Sequence, residues 1–418
     1  MRFLYTLAWT LGLPFAFLYL LWRSRRQPEY RRHWDERMGR GRSLHGRPVI
    51  WLHAVSVGET RAAAPLVNAL RERYRHHLIL LTHTTPTGRS AGHDLFGDNV
   101  IQSYLPYDLP CLVKRFLDRV RPQLGIIMET EIWPNLFAAC RQRGLPLYLV
   151  NARLSERSAQ GYAHFSALIR PTLAALWGVA AQTAADAQRL AILGAKDTVV
   201  TGNLKYDVSL PADTGTRAKL LREHFGDRFV FLAASTREGE EALILDTLSR
   251  IDTPGLLLAL VPRHPQRFDE VARLLEAHGL SYVRRSSGQP ASARTRVFLG
   301  DSMGELAAYY SAADLAFVGG SLLPLGGQNL IEAAAVGCPV LVGPHTFNFA
   351  EASSLAIDCG AARRVADANE LAQAVRELCA EPERLKRMSA AGAAFTAGNR
   401  GATARVLAMI AVPTPGAV

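Results

Sequence analysis

The feature that most restricts the fold is a recurrence. Short apolar runs, each long enough for one buried strand, alternate with helix-length segments over most of the chain. The first series of runs covers residues 49–53, 78–82, 100–105, 124–128, 147–151, 177–182 and 199–201, with helix-like stretches such as 61–74, 110–120 and 135–143 between them. Apolar strands separated by helices build a parallel sheet that is covered by helices on both faces. The pattern breaks at residues 206–215, a polar stretch with proline and glycine, and restarts with runs at 229–234, 256–261, 296–299, 315–318 and 339–342. Helices fit residues 239–251, 267–278, 303–312 and 329–336. At 418 residues, 49% hydrophobic and 20% charged, the chain is globular and too long for one ordinary core. The expected organisation is therefore two α/β domains, residues 24–205 and 216–418, joined by a linker at 206–215. Their parallel sheets should face a central cleft, a favoured place for a ligand.

Ahead of the first domain, residues 3–22 carry no charge, and about twenty such residues span a bilayer. Aromatic residues stand near both ends. Arg23, Arg25, Arg26, Arg31 and Arg32 follow, against Arg2 before it, which places the body of the protein on the cytoplasmic side. A cleaved leader needs a small-residue cleavage site, and Trp22-Arg23-Ser24-Arg25-Arg26 offers none. Residues 1–23 thus read as a membrane anchor, spanning or interfacial, with Pro14 favouring a bent or shallow helix. The net charge of +11 is concentrated early, with nine arginines against three acidic residues in positions 1–42. Beside an apolar segment, that block points to an anionic membrane surface rather than nucleic acid. Five scattered cysteines without CxxC, and twelve histidines without HExxH, argue against a disulfide framework or a structural zinc site. No metal is expected, and the reducing cytosol is the simpler compartment.

Several strand ends carry polar groups. After the first run comes His53-Ala54-Val55-Ser56-Val57-Gly58-Glu59-Thr60. Ser56 and Glu59 have the spacing of a capping box; equally, the end of a strand in such a sheet is where ligands bind, so Glu59 can do chemistry. Both readings stand on these residues alone. Glu129 and Glu131 sit where the run 124–128 ends, and strand alternation puts both on one side. Arg61, Arg89, Arg153 and Lys205 are the cations that could meet an anionic acceptor, although each is individually an ordinary surface charge. In the second domain, Gly319-Gly320-Ser321 ends one strand and Gly326-Gly327-Gln328-Asn329-Leu330-Ile331-Glu332 opens a helix. Glycines there allow backbone amides to approach an anion, and Glu332 can accept from ribose hydroxyls. Val261-Pro262-Arg263-His264-Pro265 ends another strand, with Arg263 suited to a phosphate or a base. Asp301-Ser302-Met303-Gly304-Glu305 stands at a third strand-to-helix junction. Together these strand ends suggest a nucleotide site. No GxGxxG follows the first strand of either domain and no GxxxxGK[ST] is present, which sets aside dinucleotide enzymes and P-loop ATPases.

The motifs HAVSVGET, HTTPTGRSAG, YLPYDLP, METEIWPN, NARLSERSAQGY, GNLKYD, LVPRHPQRF, GDSMGEL, FVGGSLLPLGGQNLIE and GPHTFNF occur in this order. Together they resemble the 3-deoxy-D-manno-oct-2-ulosonic acid (Kdo) transferases of lipopolysaccharide synthesis, over essentially the whole chain. The resemblance implies a GT-B glycosyltransferase with two Rossmann-like domains, N-terminal for the acceptor and C-terminal for the donor. It implies CMP-Kdo as donor and lipid IVA, an acylated bisphosphorylated glucosamine disaccharide of the bacterial inner membrane, as acceptor. Inversion without a catalytic metal or other cofactor is also implied. The family's catalytic carboxylate falls on Glu59. Its CMP contacts fall on Pro262 and Arg263, on Met303, Gly304 and Glu305, and on Asn329, Leu330, Ile331 and Glu332. Glu59 is expected to stay ionised because a helix start lowers a carboxylate pKa. The alternative is another nucleotide-sugar glycosyltransferase, or an epimerase, on a similar scaffold.

Overall fold

A computed structural model describes residues 1–207 and 210–410. It divides into two compact units: residues 1–207 with the chain from Asn399 onward, and residues 208–398. Each is built on a seven-stranded, all-parallel sheet.

In the first unit the strands are β1 (Val49–His53), β2 (Leu78–His83), β3 (Ile101–Tyr104), β4 (Pro122–Met128), β5 (Leu147–Ala152), β6 (Gly178–Ala181) and β7 (Thr198–Val200), in the order β3-β2-β1-β4-β5-β6-β7. All five residues of β1 are buried. Alternate side chains enter two cores, Val49 and Trp51 on one face and Ile50 and Leu52 on the other. That double burial is what the uninterrupted apolar runs required. The strand order reverses between β1 and β4, the place where open α/β sheets leave a crevice at their carboxyl ends.

The second unit contains β8 (Val230–Thr236), β9 (Leu257–Pro262), β10 (Tyr282–Arg284), β11 (Val297–Leu299), β12 (Leu315–Val318), β13 (Val340–Val342) and β14 (Ala362–Arg364), ordered β10-β11-β9-β8-β12-β13-β14. Its reversal lies between β8 and β12. β10 and β14 are edge strands of three residues that the apolar pattern does not announce, because arginines interrupt them.

The end of the chain corrects the expected boundary. Helix Ala402–Met409 belongs to the first unit, where Ala402, Val406 and Ile410 join the core behind β1. The Asp207 carboxylate accepts from the Gly401 and Thr403 amides at 2.6 and 2.5 Å, and Arg405 Nε donates to the Thr201 carbonyl at 2.8 Å. These polar contacts are not visible as a periodicity. Tyr206 also leaves the expected linker region, since Leu204–Tyr206 is a packed turn of the first unit. Val208 and Ser209 of that linker, and residues 411–418 of the expected C-terminal domain, lie outside the described residues.

Helix Arg2–Arg23 carries the apolar segment and lies along the first unit. Trp9 and Phe17 pack on Tyr107, Phe17 also meets Trp34, and Asn135 Nδ2 donates to Thr6 Oγ1 at 3.0 Å. The opposite stripe, Phe3, Leu7, Leu11, Phe15, Leu18 and Trp22, is exposed.

Candidate active site

Glu59 sits in the first turn of helix Val57–Arg73, immediately beyond β1. The serine half of the capping box forms, with Ser56 Oγ accepting from the Glu59 amide, while the Glu59 side chain accepts from the Ser56 hydroxyl at 3.0 Å instead of from the Ser56 backbone amide. Glu59 Oε2 accepts from the Val55 amide at 2.8 Å. The cap does not keep the carboxylate acidic. Burial is the largest influence and pushes its pKa up to about 7, with Glu129 and Glu131 adding to the rise, while the Val55 amide and Ser56 pull the other way. The expectation of a lowered pKa is therefore wrong: desolvation outweighs the helix start.

Glu129 follows β4 across the reversal in strand order. Its φ of 55° is left-handed, so strand alternation ends at Met128 and does not place Glu129 beside Glu131. The loop brings both near Glu59 nonetheless, as their effect on its pKa shows. Burial also raises Glu131. Arg153 Nε and Lys205 Nζ approach Glu129 at 3.6 and 3.7 Å. Arg89 does not join them. Its guanidinium pairs with Glu36, at 2.5 Å from Oε2, and lies over the Tyr104 ring. Glu36 lies in the basic stretch after the anchor, a partner that sequence reasoning had no means to assign. Sequence reasoning also passed over His53, fully buried at the end of β1, where burial pushes its pKa down to about 3 and keeps it neutral. Trp133 stands edge-on to it, with ring centroids 6.1 Å apart.

In the second unit the amides expected to cradle an anion are already occupied. The buried Glu240 carboxylate accepts from Gly320, Ser321, Leu322 and Arg237 at 2.6, 3.1, 3.1 and 3.3 Å. Gly327 and Gln328 donate to the carbonyls of Gly320 and Gly319 at 2.7 and 3.0 Å. The following helix, Ile331–Ala335, is a short one and starts later than the sequence suggests. Sequence reasoning missed Glu240 and its neighbour Glu241, which binds Arg267 and Thr236. The available signal was a pair of glutamates after a strand and a glycine, which reads as an ordinary helix start.

What this face offers a ligand is side chains. Asn329 Nδ2 donates to Glu332 at 3.2 Å, and Asn329 Oδ1 accepts from the Ile331 amide at 3.0 Å. Arg263, just past Pro262 at the end of β9, and Glu332 both act on the buried hydroxyl of Tyr310, which brings these two predicted residues into one neighbourhood. Leu330 and Ile331 are buried and present only backbone. Met303 is exposed, Gly304 takes a φ of 76°, and Glu305 is held by both donors of Arg285 at 3.2 Å and by Ser302 at 2.6 Å. Burial alone raises the Glu305 carboxylate, but Ser302, Arg285 and Arg217 outweigh it and hold it below the usual range. Among the described residues, no group of three or more His, Cys, Asp or Glu is placed to hold a metal.

Comparison with known proteins decides the family. The chain is 46% identical to a 3-deoxy-D-manno-octulosonic acid transferase of Bordetella pertussis, over 97% of this chain and 98% of that one. The chain belongs to the Kdo transferase family. A 39% identity to the Haemophilus influenzae 3-deoxy-D-manno-octulosonic acid transferase, covering 98% of each chain, agrees. Residues 32–208 match the 3-deoxy-D-manno-octulosonic-acid transferase (kdotransferase) family, and residues 284–395 match glycosyl transferases group 1. The fold is shared more widely. UDP-GlcNAc 2-epimerase from Neisseria meningitidis superposes with a TM-score of 0.58 at 17% identity, over 87% of this chain and 99% of that one. This chain thus has the two-Rossmann-domain GT-B scaffold, with, among the described residues, one N-terminal helix apolar and long enough to cross a membrane.

Proposed function

We propose that this chain transfers Kdo from CMP-Kdo to a hydroxyl of lipid IVA, inverting the anomeric centre and releasing CMP. The first unit binds the acceptor and the second binds the donor. Glu59 is the general base, and the observation that carries this role is its pKa of about 7 at the reversal point of its sheet. A base of that strength is about half ionised at neutral pH and strong enough to take a hydroxyl proton as the new bond forms. Burial, with Glu129 and Glu131 adding to it, keeps its pKa high. Arg153 and Lys205, already turned toward Glu129, meet the acceptor's phosphates.

Arg263 and the Asn329–Glu332 segment hold CMP, with Arg263 balancing the charge that develops on the leaving phosphate. The turn Met303-Gly304-Glu305, fixed by Arg285, supplies a backbone contact. No metal takes part in this reading, so EDTA leaves the rate unchanged.

The exposed stripe of the N-terminal helix seats in the cytoplasmic leaflet of the inner membrane. Arg25, Arg26, Arg31 and Arg32 lie against anionic headgroups, a hold that weakens with salt. Incubating the full chain with lipid IVA and CMP-Kdo tests the reading, because product heavier by whole Kdo residues is expected. CMP should protect the protein from heat and UDP should not. Protection by UDP instead would favour another nucleotide-sugar enzyme.

A further inference from the structure

Glu240 is completely buried, yet it is neither in the reaction described above nor paired with a cation among the described residues. Its carboxylate closes the reversal point between β8 and β12 by accepting from three consecutive amides, Gly320, Ser321 and Leu322, and from that of Arg237. Consecutive amides that converge in this way form an anion-binding nest. The backbone is turned into it by Gly320, whose φ of 70° is left-handed. Neighbouring positions leave no room for adjustment: a Cβ on Gly319 would stand 2.7 Å from the Ser235 carbonyl. Ser321 ties the same loop down, its hydroxyl donating to the Val318 carbonyl at 2.5 Å and accepting from the Gly343 amide at 2.9 Å.

The held loop passes its position onward. The carbonyls of Gly319 and Gly320 accept from Gln328 and Gly327, and the next residue is Asn329, which is bonded to Glu332. We infer that Glu240 is a positioning residue for the donor, whose carboxyl group fills the nest and thereby sets Asn329 and Glu332. This rests on the reading that those two residues contact CMP-Kdo. Without the carboxylate, three buried amides and the half-buried Arg237 amide lose their acceptor, and the segment beyond Gln328 is no longer fixed.

The test is steady-state kinetics on the full-length Glu240→Ala and Glu240→Gln variants. Loss of charged hydrogen bonds raises the donor KM of Glu240→Ala on the order of ten- to a hundredfold, with acceptor KM and kcat at saturating donor close to wild type. Glu240→Gln, which keeps the shape but turns an amide nitrogen toward N–H groups, gives a smaller rise in the same parameter. Acetate added to Glu240→Ala refills the nest and lowers the donor KM again, while wild type ignores it; a residue that only braces the fold would show no such rescue. The inference fails if folded Glu240→Gln keeps the wild-type donor KM. It also fails if all parameters decline together with the folded fraction, or if acetate has no effect on folded Glu240→Ala. Should Glu240→Ala not fold, Glu240→Gln decides alone. A wild type that CMP does not protect from heat removes the donor reading itself, and this inference with it.

Discussion

Glu59 and Glu240 occupy the same topological place, the first turn of the helix that follows the first strand of each sheet, and burial raises the pKa of both, but they differ in what surrounds them. Glu240 receives four backbone amides and no solvent. Glu59 is only partly buried and receives one backbone amide and one hydroxyl, with two further carboxylates nearby. The difference lies in what the opposite strand end supplies. After β12 the chain turns through glycines and offers N–H groups. After β4 it turns through Glu129 and offers negative charge. The four amides lower the Glu240 pKa without cancelling the rise from burial and tie its carboxylate to the loop, whereas Glu59 keeps fewer donors and two carboxylate neighbours, the setting in which the proposed base would work.

Substitutions can break this contrast, and the largest effect should come from Glu59→Gln. Transfer is expected to fall about 10²–10⁴-fold, the usual worth of a general base, with CMP protection in a thermal-shift assay unchanged. Next is stability. Glu240→Ala should cost about 3 kcal/mol in urea unfolding because it orphans buried amides, against about 1 kcal/mol for Glu59→Ala, which removes half of a cap. Equal costs would mean that the two carboxylates do not differ as claimed.

A pH–rate profile sharpens the electrostatic half of the comparison. Wild-type kcat/KM should rise with pH through about 7 as Glu59 ionises. Glu129→Gln should move that limb to lower pH, since it removes a negative charge that raises the Glu59 pKa.

The smallest effect is on melting temperature. Glu59 has a higher pKa folded than its ordinary value of 4.5, so its ionisation opposes folding. Any stability gap between Glu59→Gln and wild type should therefore shift in the variant's favour from about pH 4.5 to about 7 and stay constant above that. A shift toward wild type over that range would mean that the cap, not desolvation, governs Glu59.

Much of the fold was legible because buried parallel strands must be apolar on both faces, and that requirement leaves runs such as Val49–His53 in plain view. The three-residue edge strands Tyr282–Arg284 and Ala362–Arg364 left no such trace, since an edge position tolerates arginine. Glu59 was visible because a carboxylate directly after an apolar strand is unusual enough to question. Its pKa was not, because that depends on burial and on Glu129 and Glu131, which lie some 70 residues further along the chain. Glu240 was hidden for the same reason: its partners at Gly320–Leu322 are 80 to 82 residues away. Arg89 looked available until Glu36 was found to hold it.

The central claim, that Glu59 is the base and not merely a cap, is tested most directly by mass spectrometry of the transfer reaction. Wild type and Glu59→Gln, which keeps an acceptor for the Val55 amide, should be run side by side on CMP-Kdo and lipid IVA across pH 6 to 8, about one unit either side of the Glu59 pKa. The account predicts wild-type product that increases with pH and almost none from the variant at any pH, although both bind CMP. Comparable product from the folded variant would contradict it and return Glu59 to its capping role.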